Sequence, residues 1–199
     1  MDQANKIPYI KTGESEIDTL FVEEFFSSVD FQKWFLKKIN IEKQYQFVGA
    51  WKSFPGRYGE CDIVAEFVVE NKNIMILIEN KIYSPEQYEQ AERYHRTGKW
   101  LVEHENKSRY ITCLLSPKIY FKEDAPMNNY EFKISYEELL EWFNKQEKSE
   151  RIKFKQLVIL NGIDRAGTGY TRITDENTDK FYQYYEELAR EYHPELEYS

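Results

Sequence analysis

The sequence predicts an α/β fold, a central mixed β-sheet flanked by helices in the order α, β, β, β, α, β, with additional helices towards the C-terminus. Three observations predict it. Apolar residues recur at helical spacing through residues 14–39. Residues 61–82 are strand-like on both sides of a polar tetrapeptide, Glu70-Asn71-Lys72-Asn73, as in a hairpin. Beyond it, helical and strand patterns take turns, the pattern of a sheet covered by helices.

Taken in order, the first helix runs from about Glu14 to Phe26 and places Ile17, Leu20, Phe21 and Phe25 on one face. A second carries Phe31, Trp34, Phe35 and Ile39, with Asp30 positioned to cap it. Residues 45–54 are aromatic-rich and strand-like, and Pro55-Gly56 is expected to break them. Cys61 to Val69 alternates through Ile63, Ala65, Phe67 and Val69. The run Ile74-Met75-Ile76-Leu77-Ile78, continuing to Ile82, has the unbroken apolarity of a strand buried on both faces. Ser84, Pro85 and Gln87 read as N-cap, first-turn proline and capping partner of a helix reaching about His104. Tyr110 to Ser116 is a strand and Tyr130 to Ile134 another. Ser135 with Glu138 then caps a helix containing Leu139, Leu140, Trp142 and Phe143.

Residues 151–163 and 175–192 are expected to be helical, with a loop at Gly162, Gly167 and Gly169 between them. Its Arg165, Tyr170 and Arg172 suit phosphate and base contacts. A plain connection is the simpler reading, and the segment is no phosphate-cradling loop, because Gly-Lys-Ser/Thr is missing. With 199 residues and no repeat or linker, a single domain is expected, its core over about 14–135 and a helical extension over about 136–199.

Composition narrows the function classes. The longest apolar stretch has five residues, whereas a membrane span needs roughly 20. A protein with no membrane partner is expected. Cys61 and Cys113, the only cysteines, are too few for a disulfide framework and point to reduced thiols in a cytoplasmic protein. His95, His104 and His193 lack metal-ligand spacing, so any metal is expected to be oxygen-bound. A net charge of −8 argues against coating nucleic acid by bulk attraction. The local field of a cleft is a separate quantity, and a bound cation can invert it around carboxylates.

The candidate chemistry lies on the hairpin. A turn centred near Asn71 or Lys72 sets Asp62 opposite residues 80 to 82. Side chains alternate along a strand, so Glu79 and Lys81 project to one side, against Asp62. Two carboxylates and an ammonium at the end of an apolar strand need a partner or a metal. Magnesium suits them: two carboxylates and one backbone carbonyl, that of Asn80, leave positions for water and phosphate. Lys81 is then placed to position or deprotonate the attacking water. Glu-x-Lys occurs four times, beginning at Glu70, Glu79, Glu105 and Glu131, so the tripeptide alone carries little information. Only the copy at Glu79 ends an apolar strand whose hairpin partner carries a facing acid. The alternative is a salt bridge from Asp62 or Glu79 to Lys81 at a sheet edge.

Glu60-Cys61-Asp62-Ile63-Val64 and Ile76-Leu77-Ile78-Glu79-Asn80-Lys81-Ile82, followed by Gln90-Ala91-Glu92-Arg93-Tyr94, resemble the PD-(D/E)XK nuclease superfamily over about residues 14 to 116. The resemblance implies a restriction-endonuclease-like core. It implies Asp62, Glu79 and Lys81 as metal-binding and catalytic residues, with Gln90 and Tyr94 lining the site. A first-helix acid would assist; Glu14 and Glu16 both qualify, and Glu14 fits the family spacing better. Cys61 stands where the family name has proline, which leaves the acid itself untouched.

Gln90 and Tyr94 share a helix face by their spacing, though a core tyrosine and a solvated glutamine would look the same. Arg93, Arg96 and Lys99 form a basic stripe that suits either phosphates or solvent.

The implied function is hydrolysis of phosphodiester bonds in nucleic acid, DNA by default, with Mg2+ or alternatively Mn2+. A homodimer is compatible with it. The rivals are a catalytically silent module of the same fold that binds nucleic acid or a protein, and an interaction subunit with an acidic surface.

Overall fold

The structure, a computed structural model, describes residues 12–82, 89–121 and 129–168. Helices α1 (Glu14–Ser27) and α2 (Val29–Lys38) follow one another through Ser28. The Ser28 hydroxyl accepts the Phe31 N–H at 3.1 Å and caps α2. The cap is therefore Ser28, not Asp30, which sits in the first turn, where a carboxylate still favours the helix dipole. Phe21, Phe25, Phe31 and Phe35 meet edge to face across the two helices, with centroids 5.0 to 5.8 Å apart.

Strands β1 (Tyr45–Gly56), β2 (Gly59–Val69), β3 (Lys72–Asn80), β4 (Arg109–Ser116) and β5 (Phe132–Ser135) form one five-stranded sheet in that order. The first three are antiparallel; β4 joins β3, and β5 joins β4, in parallel. Pro55 does not end β1 as expected. The strand lies at the sheet edge, where a missing N–H is tolerated, and it continues to Gly56.

The β2–β3 turn is Glu70-Asn71, both with left-handed φ of 48° and 61°, as a two-residue hairpin of the right twist requires. The expected turn lay slightly later. Ile63 therefore faces Ile78, and Asp62, next along β2, falls against Glu79 rather than against residues 80 to 82.

Helix α3 (Gln90–His104) starts after Glu89, at φ 58°, so the described helix begins later than the Ser84 cap implied; Ser84, Pro85 and Gln87 lie outside the described residues. It covers one sheet face, packing Ala91, Tyr94 and Leu101 on Val64, Met75, Leu77 and Leu114. The other face, with Ile63, Ala65, Phe67, Ile76, Ile78 and Leu115, meets α1, α2, α4 (Tyr136–Asn144) and α5 (Glu150–Thr168). Ser135 and Glu138 form the expected capping box of α4.

Residues 162–168 are helical rather than a loop. Gly162 there is a packing residue, because a Cβ would stand 3.0 Å from the Tyr136 ring. Gly169, Tyr170, Arg172 and the helix expected over 175–192 lie outside the described residues. No helix among the described residues is long and apolar enough to cross a membrane.

Candidate active site

β2 and β3 bring Asp62 and Glu79 together on the face that α3 covers. Their order in the strands follows from the turn, and alternation sends both side chains, with that of Lys81, to the same side as Val64 and Leu77. Beyond Asn80 the chain stays attached to β4, since the Lys81 N–H donates to the Leu115 carbonyl at 2.9 Å. The Asn80 N–H donates to Asp62 Oδ2 at 2.9 Å, tying the first acid to the second strand.

Glu79 is only 2% exposed and Lys81 only 6%. Lys81 Nζ lies 3.0 Å from Glu79 Oε1, and Gln90 Nε2 donates to that same oxygen. Glu79 Oε2 is buried and has no hydrogen-bond partner among the described residues. Burial, and then the Glu79 charge, push the Asp62 carboxyl from 3.8 up to about 7, against the opposing pull of the Asn80 N–H and Lys81. Burial works against the Lys81 charge, but Glu79, with Glu14 and Asp62 beyond it, holds the ammonium above its ordinary value.

Gln90 and Tyr94 lie one turn apart on α3 and are both buried. The Asp62 N–H donates to the Tyr94 hydroxyl at 3.0 Å. Burial, then Glu79 and Asp62, raise that phenol well above its usual value, so it stays neutral.

Asn80 points to the opposite sheet face. Its Nδ2 donates to Asp18 Oδ1 at 2.7 Å and to the Glu14 carbonyl at 2.9 Å, and its Oδ1 accepts the Tyr136 hydroxyl at 2.5 Å. Glu14 Oε1 accepts the Ile82 N–H at 2.9 Å, which seats the start of α1 on the end of β3. Glu16 instead turns back to the Gly13 N–H at 2.7 Å, so of these two glutamates it is Glu14 whose side chain meets this strand end. Asp18 and Tyr136 escaped the sequence reading. Asp18 carried a signal: an acid among Ile17, Leu20 and Phe21, one turn after Glu14, lies on the buried face. Burial above all raises its carboxyl to about 7, Asn80 opposing and Asp62 adding to the shift.

Among the described residues, no group of three or more His, Cys, Asp or Glu side chains is set to hold a metal ion. Magnesium does not require such a cage, since it keeps several waters and is commonly held by one or two carboxylates. Two hard oxygen donors at one strand end, one of them carrying a buried oxygen without a partner, fit it. The basic stripe divides: Lys99 pairs with Glu103 at 3.9 Å, whereas Arg96 lies over the Tyr58 ring, 4.2 Å from its centroid.

A protein-family model described as the PD-(D/E)XK nuclease superfamily matches residues 15–161, a span that holds Asp62, Glu79, Lys81, Gln90 and Tyr94 and begins one residue after Glu14. No curated protein and no solved structure matches the chain.

Proposed function

The chain belongs to the PD-(D/E)XK nuclease superfamily, and from that premise we propose that it is a Mg2+-dependent nuclease, Mn2+ being an alternative, that hydrolyses phosphodiester bonds in DNA. The observation that carries the reading is the pairing of half-buried Asp62 with buried Glu79, with Lys81 against it and one Glu79 oxygen without a partner among the described residues. Structural salt bridges satisfy their oxygens; a metal site leaves some free.

Asp62 and Glu79, with the Asn80 carbonyl, would hold the ion, and Glu14 would assist from α1. When bound, a hard divalent cation supplies Lewis-acid stabilisation of phosphate charge and eases deprotonation of water. Lys81 positions the attacking water and offsets negative charge that grows at the phosphate. Gln90 and Tyr94 act as positioning residues: Gln90 fixes Glu79 Oε1, and Tyr94 fixes the Asp62 main chain. Asp62, half-protonated near neutral pH, would give up its proton to the solvent as the ion arrives.

The test is incubation of the full chain with single-stranded DNA, duplex DNA and RNA, in magnesium, manganese or chelator. Cleavage of DNA that chelator abolishes is expected; intact substrate in every metal condition would end the nuclease reading. One observation favours a second reading, a silent module of this fold that binds nucleic acid or a protein: Lys81 and Gln90 already engage Glu79. That reading predicts binding without cleavage.

A further inference from the structure

Resting on the nuclease reading, we propose that the β1–β2 turn and α3 form the path of an unpaired DNA strand leaving the acids, with Arg57, Arg93 and Arg96 taking its phosphates and Tyr58 and the cleft of Trp51 and Trp100 taking its bases. Among the described residues none of the three arginines has a carboxylate partner, whereas Lys81, Lys107, Arg109 and Lys155 each have one. The Arg93 Nε is buried and has no hydrogen-bond partner among the described residues. In a chain of net charge −8, three arginines gathered at this turn and the helix beside it, without an ion pair among the described residues, supply positive charge of the sign a phosphate strand needs.

The platform is built in advance. A Cβ on Gly56 would stand 2.6 Å from the Gly59 carbonyl and 2.8 Å from the Thr97 methyl, so the turn lies directly on α3. Gly59, at φ 130°, leaves room for Arg93, whose Nη1 is 3.1 Å from where a Cβ would be. Arg96 stacks on Tyr58, and both are exposed. The helix rise sets Arg93 and Arg96 about 4.5 and 9 Å along the axis from Gln90, the residue that holds Glu79.

Arg57 also borders a cleft of about 490 Å3 whose lining includes Trp51, Phe54 and Trp100, with Glu105 and the ion pair of Glu66 and Lys107, 2.6 Å apart, in the same wall. Trp51 is 40% exposed and its ring centroid lies 6.2 Å from that of Phe54. Exposed aromatic faces beside phosphate-binding cations hold unpaired bases by stacking; a duplex keeps its base faces inside and offers none.

The experiment measures anisotropy of a labelled oligodeoxynucleotide, as single strand and as duplex, over a salt series with chelator, and cleavage of the same strands with magnesium. The variants are Arg57→Gln/Arg96→Gln, at exposed positions, and Trp51→Ala, each checked by thermal melting. The strand should bind more tightly than the duplex. The arginine variant should flatten the slope of log K against log salt by about 0.7 per lost phosphate contact, and Trp51→Ala should weaken strand binding with the slope unchanged. An unchanged slope, or tighter binding of duplex, overturns the path; chelator-sensitive cleavage in that case leaves the nuclease reading standing. A flattened slope in a protein that never cleaves supports the path and sinks the nuclease reading.

Discussion

The Asp62 main-chain N–H donates to the Tyr94 hydroxyl at 3.0 Å, so the strand that carries the first acid is fastened to the helix that covers it. Tyr94 is 1% exposed, and its ring packs edge to face on Tyr130. Tyr94→Phe keeps that packing and leaves a part-buried N–H unmade, a cost of about 1–3 kcal/mol. We expect a lower melting temperature and, because Asp62 is no longer held, slower cleavage with little change in substrate affinity. Wild-type melting and wild-type single-turnover rates together would remove Tyr94 from the machinery.

Asp62 gives the protein a pH dependence of definite sign. Its carboxyl titrates at about 7 folded, against 3.8 unfolded. Between those values the folded chain holds a proton that the unfolded chain has released, so metal-free stability from this group falls as pH rises through the window. Asp18 acts in the same direction. Asp62→Asn removes the charge and keeps an oxygen for the Asn80 N–H. It should therefore raise the metal-free melting temperature above neutral pH, flatten its fall across the window, and abolish cleavage. Urea melts at several pH values measure this; an unchanged slope would show that Asp62 ionises freely.

Asp62, Glu79 and Lys81 were legible because strand alternation and hairpin pairing are local rules, and one hydrogen-bonded turn fixes both. The pairing came out one step off because the turn uses Glu70 in a left-handed conformation, which favours Gly or Asn over Glu. Asp18 and Tyr136 were not legible as partners of Asn80. Each meets it across more than fifty positions of chain, a contact that only the packing of α1 and α4 on the sheet creates. Gly162 misled for a related reason: a glycine that admits the Tyr136 ring looks the same in sequence as one that ends a helix.

Lys81→Ala should behave oppositely to Asp62→Asn. Lys81 and Glu79 form a buried ion pair 3.0 Å apart. Stripping the ammonium leaves Glu79 with Gln90 alone, and breaking such a pair costs about 3–5 kcal/mol. We expect loss of cleavage and a clear fall in melting temperature. Glu79→Gln/Lys81→Met, which removes both charges, should recover the stability and stay inactive. A single variant as stable as wild type would mean that water or relaxation solvates Glu79 and that the site is more open than its burial implies.

Metal binding joins these effects. An ion that binds only the folded chain stabilises it by about 2.7 kcal/mol at 100 times its Kd, so magnesium or manganese should raise the melting temperature. Below about pH 7, where Asp62 holds its proton, binding should also release protons, because a carboxylate must be ionised to ligate. Calorimetric titration in two buffers of different ionisation enthalpy counts them. The release should approach one proton per ion towards the acidic side, fade above the Asp62 pKa, and vanish in Asp62→Asn. Lys81→Ala should bind the ion at least as well, since the ammonium competes for the Glu79 oxygens. The salt-bridge alternative expects no proton release, no melting shift, and no difference between the two variants. Measured release with no cleavage would separate the silent module from the nuclease, because it would place the ion on the acids while denying it a reaction.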